Sequence, residues 1–208
     1  IDDPNDLGYK RIKALKVDHK GNLWIAHALG LHYYDVNQRK TLKYASELKG
    51  TKIHNTLNTI FEDSNNTIWL ALNQSDGLVK LEDENWEHTK YPIPNVTCIF
   101  EDEDFIWLGT SNNGLFRLNT KTESIKNFKS PDFFNKDIVG ILDDDLGNFW
   151  LSSSEGLFLF NKETEKYSGL QRAHGIKNDY FKRRANLKSM DGNMYFGGLN
   201  GMISFNPK

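Results

Sequence analysis

Apolar residues recur along this chain in short runs, not in a helical stripe. The runs are four to six residues long, rich in Ile, Leu, Phe and Trp, and bounded by Gly, Asn and Asp. That is the pattern of strands joined by tight turns. Few stretches hold enough 3.6-residue periodicity for a helix to compete. Five segments repeat one arrangement: GNLWIAHALGLHYYD from Gly21, NTIWLALNQSDGLVKLE from Asn66, DFIWLGTSNNGLFRLN from Asp104, GNFWLSSSEGLFLFN from Gly147 and GNMYFGGLNGMISFNP from Gly192. Each has an anchor aromatic, at Trp24, Trp69, Trp107, Trp150 and Tyr195, with spacings of 45, 38, 43 and 45 residues. Each then has a glycine, at Gly30, Gly77, Gly114, Gly156 and Gly201, followed by Leu or Met. Leu15, Ile60, Ile99, Ile141 and Leu187 precede the aromatics by eight or nine residues.

The fourth unit shows how one repeat reads as strands. Ile138 to Leu142 is a first strand, the turn at 145–148 reverses the chain, and Phe149 to Ser152 is a second. Leu157 to Phe160 is a third and Lys166 to Leu170 a weaker fourth. Second strands are predicted at 23–27, 68–72, 105–110, 149–153 and 194–198, and fourth strands near 40–46, 86–91, 124–130 and 165–171. Four antiparallel strands in about 43 residues, repeated in tandem, predict an all-β fold, a β-propeller of four-stranded blades. One small sheet cannot bury both faces alone, but stacked blades bury each other's aromatics. The residue two after each anchor is small (Ala26, Ala71, Gly109, Ser152, Gly197), which suits crowded blades. The reading is one propeller segment over 1–208, with about five repeats at 9–47, 55–92, 95–131, 137–171 and 184–208. The last repeat stops after its third strand, so the segment is expected to be part of a larger propeller with apolar faces on its end blades.

Composition narrows the functions. The 208 residues are 38% hydrophobic and 26% charged, which suits a globular protein. The net charge of −2 gives no broad footprint for nucleic acid. No run approaches the length of a membrane-spanning helix, so no membrane contact is expected of this segment. The single cysteine, Cys98, excludes an intrachain disulfide and a cysteine-built zinc site. The chain begins at Ile1 and reads as a piece of something longer.

The recurring motif, an acid, then Gly-Asn-x-Trp-Leu, a small residue and Gly-Leu, resembles the two-component regulator propeller repeat. That repeat builds the extracytoplasmic sensor of Bacteroides-type hybrid two-component systems. Phe105 to Asn119 is the clearest match. The first unit departs at His27 and at the run His32-Tyr33-Tyr34, and the second has a longer turn at Asn73 to Asp76. The resemblance implies a ligand-sensing segment, periplasmic in location, that binds an oligosaccharide. Its signal would pass to a histidine kinase outside this chain. It also implies partners: the remaining blades and downstream domains of the same receptor, with a homodimer admitted. No cofactor, metal or catalytic residue is implied. A propeller enzyme of the polysaccharide lyase or glycosidase kind, or a protein-interaction propeller, is the alternative.

Other candidate chemistry reads as structure. The acidic runs Glu101 to Asp104 and Asp143 to Asp145 lie at hairpin turns and lack the spacing of a calcium loop. The six histidines show no zinc-site spacing. Ser152 to Ser154 lack a nucleophile elbow. Cys98, on a first strand, is expected to be buried and inert. Trp86, Tyr91, Phe133, Phe134, Tyr180 and Phe181 fall off the repeat, where aromatic rings either pack between blades or stack on sugars. Ligand residues are expected on the variable connections from each fourth strand to the next first strand. The last two of these hold the candidate set Phe133, Phe134, Arg172, His174, Tyr180, Arg183 and Arg184.

Overall fold

The computed structural model describes residues 11–53, 56–75, 77–82, 86–131, 136–170 and 180–208. The chain divides into two units, Ile1–Val96 and Thr97–Lys208. Among the described residues there is no α-helix.

In the first unit, β1 (Ile12–Val17), β2 (Leu23–His27), β3 (Gly30–Asp35) and β4 (Lys40–Ala45) pair in sequence order as one antiparallel blade. A small hairpin of β5 (Glu47–Leu48) and β6 (Thr51–Lys52) follows, which the sequence did not suggest. A second blade holds β7 (Leu57–Glu62), β8 (Ile68–Leu72), β9 (Leu78–Leu81) and β10 (His88–Tyr91).

The second unit begins with the blade β11 (Val96–Asp102), β12 (Phe105–Thr110), β13 (Leu115–Asn119) and β14 (Ile125–Phe128). The next is β15 (Ile138–Asp143), β16 (Asn148–Ser153), β17 (Gly156–Asn161) and β18 (Lys166–Leu170). The last sheet has three strands, β19 (Phe181–Lys188), β20 (Met194–Gly198) and β21 (Gly201–Phe205). All five predicted second strands are present.

Why the anchor is always Trp or Tyr followed by an apolar residue follows from strand alternation, which sends consecutive side chains to opposite faces. In the first unit, Trp24 packs from the first blade against the second, and Leu70 of the second packs back. In the second unit, Trp107 packs forward against Phe149 and Phe160, while Leu151 faces back into the same cluster. Trp150 likewise meets Phe205 of the last sheet, with centroids 4.5 Å apart. Within each unit, the anchor of one second strand and the apolar residue after the anchor of the next thus stitch neighbouring blades together.

The repeat glycine marks a close approach. A Cβ on Gly77 would lie 2.5 Å from the carbonyl oxygen of Ile93, and one on Gly30 would collide with the Ala45 carbonyl. The end of the fourth strand passes there, leaving no room for a side chain.

The hairpin acids hold the first-to-second turns. Asp63 Oδ1 accepts the main-chain N–H groups of Asn65 and Thr67 at 3.0 and 2.8 Å. Its Oδ2 accepts the indole N–H of Trp69 at 2.8 Å. Asp18 repeats the arrangement with Lys20, Asn22 and Trp24. Asp144 accepts the Leu146 and Asn148 main-chain N–H groups, but its other oxygen takes the Asn148 side-chain amide, and the indole of Trp150 has no hydrogen-bond partner. The run Asp143 to Asp145 is thus turn chemistry, as the sequence suggested.

Packing decides three points that the sequence left open. Trp86 and Tyr91 are buried, at 5% exposure each, so they belong to the core. Phe181 is also buried, because β19 starts three residues before the expected repeat boundary at 184. Leu187 is 62% exposed and does not share the buried position of Ile60 and Ile141. In register, Asn186 takes that place opposite Phe196, and Leu187 turns to the other face.

Candidate ligand-binding face

The first strands carry bulges. In β1, β7 and β15 one residue is extra, between Ile12 and Ala14, Leu57 and Thr59, and Ile138 and Gly140. In β19 four residues lie between Phe181 and Asn186, opposite the single residue between Gly198 and Phe196. Those four are Lys182, Arg183, Arg184 and Ala185. Arg184 sits at φ 61°, the left-handed region that costs most residues free energy. The bulge leaves Lys182, Arg183 and Arg184 exposed at the start of a strand, and bulges re-aim side chains beside functional sites.

Residues of two other blades in the second unit meet the bulge. Arg183 Nη2 lies 3.3 Å from Ser111 Oγ and 3.3 Å from Asp137 Oδ2. Ser111 and Asp137 form an isolated β-bridge, and Asn112 donates its main-chain N–H to the Lys136 carbonyl at 3.1 Å. Asp137 and Ser154 exchange hydrogen bonds, through Ser154 Oγ at 3.1 Å and the Asp137 carbonyl at 3.0 Å. Lys182 Nζ stands 5.0 Å from the ring centroid of the exposed Tyr180. Arg184 is exposed over its surface yet crowded by neighbouring protein atoms, and that partial desolvation first, then the adjacent Arg183 charge, holds it below the usual guanidinium range.

The same sheet edge of the third blade carries a cleft of about 370 Å³ beside Asn112, Asn113, Gly114, Asn127, Lys129 and Pro131. Asn127 Oδ1 is buried with no hydrogen-bond partner. Cys98 lies below the bulge, its Sγ 3.8 Å from the Ile138 carbonyl. Burial pushes its thiol up to about 12, against weaker lowering contributions that include Arg183.

Of the candidate set, Tyr180, Arg183 and Arg184 are brought together. Phe133, Phe134, Arg172 and His174 lie outside the described residues. Arg183 and Arg184 belong to a strand bulge, not to a connection. Sequence reasoning missed Ser111, Asp137, Ser154 and Lys182. The available signal was the run Lys182-Arg183-Arg184, which breaks the in–out alternation of a strand.

No family model matches the chain. A histidine kinase, P4, from Formosa agariphila is 24% identical over 191 residues, which is 84% of this chain and 14% of that protein. The extracellular domain of BT4673 from B. thetaiotaomicron, described as a one-component and as a hybrid two-component system, superposes with a TM-score of 0.83 at 19% identity. That match covers 98% of this chain and 28% of the other. Virginiamycin B lyase from Staphylococcus aureus superposes with a TM-score of 0.70 at 17% identity, over 95% of this chain and 71% of the lyase. The chain therefore spans 14% of that kinase and 28% of that extracellular domain. Its fold is all-β, of the β-propeller kind, and its likeness runs to the extracellular domain of a hybrid two-component system and to a histidine kinase, as its repeats suggested.

Proposed function

We propose that this chain is a ligand-sensing propeller segment, one piece over residues 1–208, of a transmembrane hybrid two-component regulator. It lies in the periplasm and passes its signal to a histidine kinase beyond this chain. It binds an oligosaccharide and does not itself turn it over. The ligand is held by Tyr180, Arg183 and Arg184, with Phe133, Phe134, Arg172 and His174, which lie outside the described residues, as further candidates.

The observation that carries this reading is the enlarged bulge of β19, which puts three cations and a ring on one exposed edge. Guanidinium groups suit the carboxylates and hydroxyls of sugars, and an exposed tyrosine suits a pyranose face. The second reading is a propeller enzyme, favoured by likeness to a lyase in fold. Exposed apolar side chains support membership in a larger propeller. Leu15 and Val17 on β1 are 60% and 58% exposed, and Met202 on β21 is 64% exposed. Such faces mark surfaces that other protein covers, here further blades of the same receptor.

The test replaces Arg183 and Arg184 singly with Gln in the full-length receptor and reads its transcriptional output against a panel of oligosaccharides. Loss of response with normal receptor abundance is expected. Unchanged response in both variants would remove this face from the account.

A further inference from the structure

In the first unit a cleft of about 760 Å³ lies between the first and second blades, on the edge bearing the first-to-second turns. That is the opposite sheet edge from the one carrying the repeat glycines. Its floor is aromatic: Trp24, Tyr33 and Trp86 line it, with Trp24 centred 4.5 Å from Tyr33 and 5.6 Å from Trp86. Trp86 is held at φ 67°, a conformation rare for so bulky a residue. Lys43 Nζ stands 4.6 Å from its ring centroid. Packing from both sides fixes the indole at the floor of the cleft.

The walls carry equal charge of each sign. Lys20, Lys43 and Lys80 face Asp18, Glu62 and Glu82. Glu62 is tied across the blades to His19 Nδ1 at 2.7 Å and to Lys16 at 3.4 Å, and Lys80 pairs with Glu82 at 3.2 Å. Asn65, Asn66 and Thr67 add uncharged donors and acceptors.

We infer that this cleft binds a neutral oligosaccharide of about two or three rings. The volume lies within the range of small-ligand sites, about 300–1,000 Å³. Tyr33, half-buried, is the ring that meets the apolar C–H face of a pyranose, since Trp24 lies between Tyr33 and Trp86 and Lys43 covers Trp86. Hydroxyl groups both donate and accept, so they use a wall of mixed amides, ammonium groups and carboxylates. Balanced charge gives an anion or a cation no net attraction, unlike the basic bulge of the second unit. This site shares with the proposed function only the saccharide class and uses none of the Arg183 residues.

The test titrates the chain with maltotriose, cellotriose, xylotriose and mannotriose, and separately with trigalacturonate, by calorimetry and tryptophan fluorescence. Asn66→Gly removes an amide while suiting the backbone at φ 65°, and Lys43→Ala removes the ammonium over Trp86. Far-UV circular dichroism verifies that each variant folds. At least one neutral trisaccharide is expected to bind with a change in indole emission, and each variant to weaken it about tenfold. Failure of every neutral probe, or unchanged binding in both variants, overturns the inference. Neutral binding lost only in Arg183→Gln also overturns it, while leaving the sensor reading intact. Binding of trigalacturonate alone, dependent on Arg183, does the same.

Discussion

Replacing Asp63 with Ala tests how the repeat acid works. Its carboxylate is 7% exposed and accepts three hydrogen bonds, two from the turn and one from Trp69, itself only 2% exposed. Removing it leaves a buried indole N–H with no acceptor, at a cost of about 1–3 kcal/mol. The two turn N–H groups belong to exposed Asn65 and half-buried Thr67, so water replaces part of what they lose. They add about 0.5–1 kcal/mol each, giving about 2–5 kcal/mol in all. Asp18→Ala should behave alike, since its three contacts match. Asp144→Ala should cost about 1–3 kcal/mol, because it holds a turn but no indole. The assay is urea unfolding followed by far-UV circular dichroism, with Trp69→Phe completing a double-mutant cycle. A coupling of about 1–3 kcal/mol between Asp63 and Trp69 is expected. A coupling below about 0.5 kcal/mol, or an Asp144→Ala cost equal to that of Asp63→Ala, would refute the indole clamp.

Three further outcomes follow from the packing and charge. With its thiol pushed up to about 12, Cys98 should resist iodoacetamide in the folded chain at about pH 8 and react quickly in urea; equal rates would contradict its burial. Burial raises the Glu62 carboxyl, but hydrogen bonds from the His19 main chain and ring and from Lys16 outweigh it, so the folded carboxyl lies below its ordinary range. A lowered folded value stabilises above that range and is lost as pH falls through it. The stability gap between the native chain and Glu62→Gln should therefore close as pH falls through the carboxylate range, and a gap that widens would be the wrong sign. Gly77→Ala should destabilise the first unit by about 1–3 kcal/mol in the same urea assay, because the new methyl meets main-chain oxygens at 2.5 and 2.8 Å; a neutral effect would show that the fourth strand yields.

The second strands could be read from sequence because their information is local. A Trp–Leu pair, a small residue and a glycine turn recur wherever a blade must touch two neighbours, so Trp107 and Leu151 declare their roles without knowledge of the partner. The Asp-to-Asn turns were legible for the same reason. Less legible were features that depend on register. The extra residues before Asn186 shift every later side chain of β19 and turn Leu187 out of the core, while the early start of the strand puts Phe181 into it. Trp86 looked like a loop aromatic because its partners, Trp24 and Lys43, come from another blade. The candidate face was half legible. Arg183 and Arg184 were identified by type, but Ser111 and Asp137 are 72 and 46 residues away from Arg183 in sequence, and nothing in their local pattern marks them.

The most direct test of a sensing role is a calorimetric titration of this chain with acidic and neutral oligosaccharides, each recovered afterwards and examined by mass spectrometry. The account predicts saturable binding of at least one oligosaccharide, recovered with its mass unchanged. Cleaved or eliminated products, or no saturable binding across the panel, would contradict it.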